Sequence, residues 1–128
     1  MIEINNTTKV KINSVKLKRV IEKFIESKRL KDFSVSVALI GDAKMTELNY
    51  RYRGLKKPTD VLSFTAVNEI IINIKQIERQ AKEQGQSREA ELIFILVHGL
   101  LHLIGYNDNT EPKRLKMIAL GEDFIRRL

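Results

Sequence analysis

Apolar residues alternate at Ile2 and Ile4 and again at Val10 and Ile12, which predicts two short strands or one interrupted strand. Asn13 and Ser14 then offer a cap to a helix. Its apolar positions, Leu17, Val20, Ile21, Phe24 and Ile25, follow the i, i+3, i+4 rule. Phe33, Val35, Val37 and Leu39 alternate with small or polar residues, the signature of a half-buried strand. Gly41 turns the chain, and Asp42 is placed to cap a helix running to about Tyr52, with Met45, Leu48 and Tyr52 on one side.

Arg53 to Asp60, with Gly54 and Pro58, reads as a loop. Val61–Thr65 and Glu69–Ile74 are apolar runs of strand length, the second rich in β-branched residues. A helix from about Lys75 to Gln84 stops at Gly85. Ser87 caps the long apolar helix that follows, and that helix ends at Gly105. Pro112, behind Thr110 and Glu111, opens a last helix with Met117, Leu120, Phe124 and Leu128 on one stripe. Strands interleaved with helices predict one α+β domain over residues 1–128. It would have a small four-stranded sheet, mostly parallel or mixed, packed with about five helices around the long apolar one.

Composition narrows the chemistry. The chain of 128 residues has no cysteine and two histidines, which excludes disulfides, thiol nucleophiles, thiolate zinc sites and any three-histidine metal site from one chain. Its formal charge is +7, and residues 9–31 alone carry nine Lys/Arg against Glu22 and Glu26. Such a face attracts phosphates by counterion release, although a solvated, solubilising helix surface has the same pattern. Lys16, Lys18, Arg19 and Lys23 lie largely away from that helix's apolar stripe and are the candidate nucleic-acid contacts. The N-terminal residues lack the apolar core of a secretory signal. The longest apolar run, Leu92–Ile104, is too short and too interrupted to span a bilayer, so the expected location is the cytoplasm.

Both histidines fall on the most apolar helix, as His98-Gly99-Leu100-Leu101-His102. At i, i+4 their rings project from one face, close enough to hold one metal ion. Gly99 is costly in a helix interior by about 1 kcal/mol relative to Ala, which close approach of another backbone or of a substrate would explain. Asp108 follows six residues after His102, past Gly105, where the chain can fold back on the same point. Two imidazoles, a carboxylate and a water make a catalytic zinc site with an open position. The competing reading is a pair of packed histidines bonded to backbone, with Asn107-Asp108-Asn109 as ordinary turn chemistry. A metalloprotease would need glutamate directly after the first histidine, and that position is Gly99.

The run His98 to Tyr106 resembles the signature of the YbeY family of bacterial rRNA maturation factors, HGxLHLxGYDH. A second stretch, Leu48-Asn49, Tyr52-Arg53 and Pro58 to Phe64, is similar to the family's LNxxYRxxxxPTDVLSF, and together the likeness covers about residues 42–125. The family's third histidine falls at Asp108, its Gly-Asp-Ile reads Asn68-Glu69-Ile70, and the proline after Phe64 is Thr65. The resemblance implies a zinc-dependent, single-strand-specific endoribonuclease with one metal ion per chain, or another divalent transition metal in its place. It implies maturation of 16S ribosomal RNA and ribosome quality control, with ribosomal RNA, the small subunit and ribosome-associated proteins as partners and no membrane. His98, His102 and Asp108 would be the ligands. Arg53 would neutralise charge developing on the phosphate, and Lys56 and Lys57 would be general phosphate contacts. The alternative, motivated by Asp108, is a non-catalytic ribosome-assembly or RNA-binding factor with a weakened metal site. A small-molecule metallohydrolase is a third class, for which the basic face would be superfluous.

Overall fold

The structure, a computed structural model, describes residues 1–128. In chain order the elements are β1 (Ile2–Asn6), α1 (Ser14–Ser27), β2 (Val35–Ile40), α2 (Asp42–Arg53), β3 (Val61–Phe64), β4 (Glu69–Asn73), α3 (Ile74–Glu83), α4 (Arg88–Leu103) and α5 (Glu111–Arg126). The strands form one mixed sheet in the order β1-β2-β4-β3. β1 and β4 both run parallel to β2, and β3 returns antiparallel on β4. This is the expected α+β fold.

Strand parity decides what each face carries. Val35, Val37, Leu39, Ile70 and Ile72 point to one side, into the main core with α1, α3, α4 and Met117 of α5. Leu62, Ile71 and Ile40 point to the other, where Met45 and Leu48 of α2 cover them. The β3–β4 register pairs Ser63 with Ile70 and Leu62 with Ile71, so Ser63 lies on the α4 side of the sheet. That parity brings a hydroxyl to the underside of the histidine helix.

Four expectations change in detail. Val10 and Ile12 are not a strand. The Asn6 side chain donates to the Val10 carbonyl and accepts from Thr8, and this local turn draws the backbone out of the ladder. Both apolar side chains still pack on the core. Asp42 is the first residue of α2 rather than its cap. Gly41 occupies the cap position, and the Asp42 carboxylate instead binds Arg79 and Asn73. Phe33 precedes β2 rather than belonging to it. Leu128 lies beyond α5 and is half exposed, because the stripe of that helix ends at Phe124 and Ile125. No helix is long and apolar enough to cross a membrane.

Candidate metal centre and cleft

α4 is capped as its sequence predicts, with Ser87 Oγ accepting from the Ala90 N–H at 3.1 Å. Its periodicity brings Phe94, His98 and His102 to one face. The two imidazoles are 5.0 Å apart and nearly perpendicular, and Phe94 stacks on His98 at 6.4 Å.

The helix ends in a Schellman turn. The Tyr106 N–H donates to the Leu101 carbonyl and the Gly105 N–H to the His102 carbonyl, while Gly105 takes φ +110°. Tyr106 packs against the core, which fixes the direction of the exit. Two residues later Asp108 has come back over the helix. Its Oδ2 lies 3.3 Å from His98 Nε2 and 3.5 Å from His102 Nε2. One ligand atom from each of the three residues lies within 4.8 Å of the others. Burial alone would raise the Asp108 pKa, but the His98 hydrogen bond and the charges of both histidines outweigh it and hold the carboxyl below its ordinary value.

Gly99 explains how the helix sits so low on the sheet. A Cβ there would meet Ile70 Cγ2 at 3.1 Å and Ser63 Oγ at 3.3 Å, so the close neighbours are side chains of the sheet. The Ser63 hydroxyl is buried and has no hydrogen-bond partner in the protein.

The trio opens into a cleft of about 520 Å³ whose walls include Arg53, Thr59, Asp60, Ser63, Phe94 and Arg114. Arg53 is the last residue of α2, beyond which Gly54 turns left-handed at φ +71°. Asn49, fully buried, donates from Nδ2 to the Lys57 carbonyl at 2.7 Å and so ties the 54–60 loop to α2. Asp60 is fixed from the other side, its carbonyl accepting the Asn73 N–H. Arg53 therefore enters the cleft from a doubly anchored corner.

The remaining candidates stand farther off. Lys57 lines a smaller hollow that shares Arg53, Thr59 and Asp60, and Lys56 lies over the Tyr50 ring at 5.1 Å. None of Lys16, Lys18, Arg19 and Lys23 lines the cleft at the His98–His102–Asp108 trio. Lys16 pairs with Glu89 at the opposite end of α4, and Arg19 and Lys23 border a hollow beside Leu128. Phe94 and Arg114 are among the cleft residues that escaped the sequence reading. Phe94 was detectable as the residue one turn before His98. Arg114 is brought in by the docking of α5, which leaves no local signal.

A family model described as Endoribonuclease YbeY matches residues 3–128. The chain belongs to the YbeY family. Among its relatives, the endoribonuclease YbeY of Petrotoga mobilis is 36% identical, aligned over 98% of this chain and 92% of its own length. That of Heliobacterium modesticaldum is 38% identical over 76% of this chain and 70% of its own. The solution structure of TM1509 from Thermotoga maritima superimposes with a TM-score of 0.71 at 32% identity, covering 98% of this chain and 87% of that one.

Proposed function

We propose that this chain is a zinc-dependent endoribonuclease that cuts single-stranded RNA in the maturation of 16S ribosomal RNA and in ribosome quality control, working in the cytoplasm on the small subunit. The coarse reading, a nuclease hydrolase acting on RNA, is supported by membership of the YbeY endoribonuclease family. The observation that carries the finer one is the convergence of His98, His102 and Asp108 in one cleft with Arg53.

The donor set fits zinc. Ligands at about 2.0–2.1 Å in a tetrahedron are about 3.4 Å apart; the two histidine–aspartate separations are 3.3 and 3.5 Å, and all three donor atoms lie within 4.8 Å of one another. Three protein donors leave the fourth position open, as catalytic zinc sites do. When bound, zinc supplies a Lewis acid for a phosphoryl oxygen and an acidified water. His98 and His102 are held in register by the helix, and Asp108 by the Schellman turn, so the donors are preorganised. Arg53 has no carboxylate partner, which leaves its guanidinium free to grip the scissile phosphate and to meet the negative charge that grows there. The exposed Lys56 and Lys57 and the α1 cations add sequence-tolerant attraction for a polyanion.

The test is metal content of the purified protein together with cleavage of single-stranded RNA by wild type, His98→Ala, Asp108→Ala and Arg53→Ala. Activity indifferent to His98 and to chelation would overturn the reading. The second reading, a non-catalytic assembly factor, draws on the carboxylate at Asp108, whose side chain is 42% exposed. Ribosomal-particle binding by metal-free protein without nuclease activity would favour it.

A further inference from the structure

The metal cleft does not close at α5. A second cleft of about 890 Å³ continues from it along α4, and the two share Asp60, Phe94, Ile95, Arg114 and Ile118 as common walls. Arg114 therefore stands at the junction, on the α5 wall, whereas Arg53 enters the first cleft from the end of α2.

Arg114 keeps donors to spare for a second anion beside its ion pair with Glu111. Its Nε and one Nη donate to Glu111 at 3.0 and 2.7 Å, which fixes the guanidinium plane at the first turn of α5. The fork has five N–H donors, and those not used on Glu111 have no acceptor in the protein. The side chain is 45% exposed, so a ligand phosphate can reach it. A guanidinium immobilised through one edge loses little entropy on binding through another.

The second cleft beyond Arg114 offers a base an apolar wall and polar partners. Phe94 and Ile95 give it an apolar wall. Its polar side is mixed, with the amides of Gln80 and Gln86 beside the charged Lys16, Glu89, Glu122 and Arg126. Glu91 is 1% exposed, and its two oxygens accept from Gln80 Nε2 at 2.8 Å and Gln86 Nε2 at 2.5 Å. The glutamine side chains thus cover the carboxylate.

We infer that the second cleft takes the nucleotide one step beyond the one that flanks the scissile phosphate, and that Arg114 grips the phosphate joining those two nucleotides. This rests on the endoribonuclease reading and gives it a strand path. The chain would be held by two guanidiniums from different walls, Arg53 at the trio and Arg114 at the junction.

The test measures binding by fluorescence anisotropy, using labelled 2′-O-methyl uridine di- and hexanucleotides checked on gels for intactness. The proteins are wild type, Arg114→Gln and Lys82→Ala, an exposed cation that lines neither cleft. Wild type is expected to prefer the hexanucleotide. Arg114→Gln should bind it about 10-fold more weakly, with a smaller preference over the dinucleotide. Its slope of log affinity against log salt should fall by about 0.7, the value for one lost phosphate contact on a single strand. Lys82→Ala should follow wild type. If wild type binds and cleaves RNA and Arg114→Gln keeps its length preference and salt slope, the second-cleft inference falls alone. If wild type binds neither oligonucleotide, the endoribonuclease reading falls and takes the inference with it.

Discussion

Asp108 Oδ2 stands 3.3 Å from His98 Nε2, although it lies ten positions further along the chain, past a helix end and a left-handed glycine. On the zinc reading the carboxylate would complete a ligand set that the two histidines alone leave one short. Purified protein is accordingly expected to carry about one zinc per chain. Zinc supplied at about 100 times its dissociation constant should add about 2.7 kcal/mol to unfolding stability. His98→Ala and Asp108→Ala should lose that gain, whereas Asp108→His should keep it. Thermal melts with and without zinc, alongside elemental analysis, decide the matter. Equal zinc-induced shifts in all four proteins would place the metal elsewhere.

Arg53 is exposed and makes no ion pair, so its removal should leave the fold alone and strike the reaction. Arg53→Ala is expected to lower kcat on single-stranded RNA about 100-fold, the usual cost of losing a donor aimed at developing charge. Arg53→Lys should recover only part of it, because an ammonium lacks the planar fork. Lys57→Ala should raise KM with kcat nearly intact, since that lysine borders the cleft without entering it. Comparable kcat losses in Arg53→Ala and Lys57→Ala would remove Arg53 from its special place.

What could be read from the sequence was whatever is local. Caps at Asn13 and Ser87, the i, i+4 histidines and the glycine stops at 85 and 105 each depend on a few neighbouring residues. Asp108 was within reach because a helix stop makes a short chain reversal foreseeable. Arg114 was not, since its place depends on how α5 docks against α4. Asp42 misled for a related reason. An aspartate at a helix start looks like a cap until a tertiary partner, Arg79, claims the carboxylate. The local turn at Asn6 likewise overrode the alternation of Val10 and Ile12.

Gly99 sets the height of the histidines above the sheet. In Gly99→Ala the new methyl would press on Ile70 at 3.1 Å and on Ser63 at 3.3 Å. Overpacking of this kind costs about 1–3 kcal/mol, against about 1 kcal/mol gained in helix propensity. The variant should be destabilised by about 1 kcal/mol and bind zinc more weakly, because His98 is the preceding residue and must move with the helix. Urea midpoints and zinc titration test both. A more stable variant with unchanged zinc affinity would mean that the neighbours yield freely.

The cations of α1 lie outside the metal cleft, so their effect on RNA should be one of attraction only. A Lys18→Ala, Arg19→Ala, Lys23→Ala variant is expected to bind single-stranded RNA more weakly at low salt. The difference should fade as salt rises, with turnover at saturating RNA close to that of wild type. Turnover slowed by about 10-fold or more would place this face nearer the reaction than the structure does.

Asp42 anchors the start of α2, the helix whose last residue is Arg53. Arg79 donates to it from Nη1 at 2.9 Å and Nη2 at 2.7 Å, and Asn73 adds a third hydrogen bond at 2.8 Å. These bonds, Arg79's first, lower its pKa from 3.8 to about 2. A carboxyl whose folded pKa is depressed stabilises the fold above its unfolded pKa, and this contribution disappears as pH falls through the folded value. The side chains are 40% and 47% exposed, so solvent screening reduces the gain to about 0.5–1 kcal/mol. Asp42→Asn should be less stable than wild type by that amount at pH 7, and the two should converge between about pH 4 and pH 2. Urea unfolding across that range reads the difference directly. A gap that stays constant down to pH 2 would assign the effect to the altered hydrogen bonding of the amide rather than to the charge.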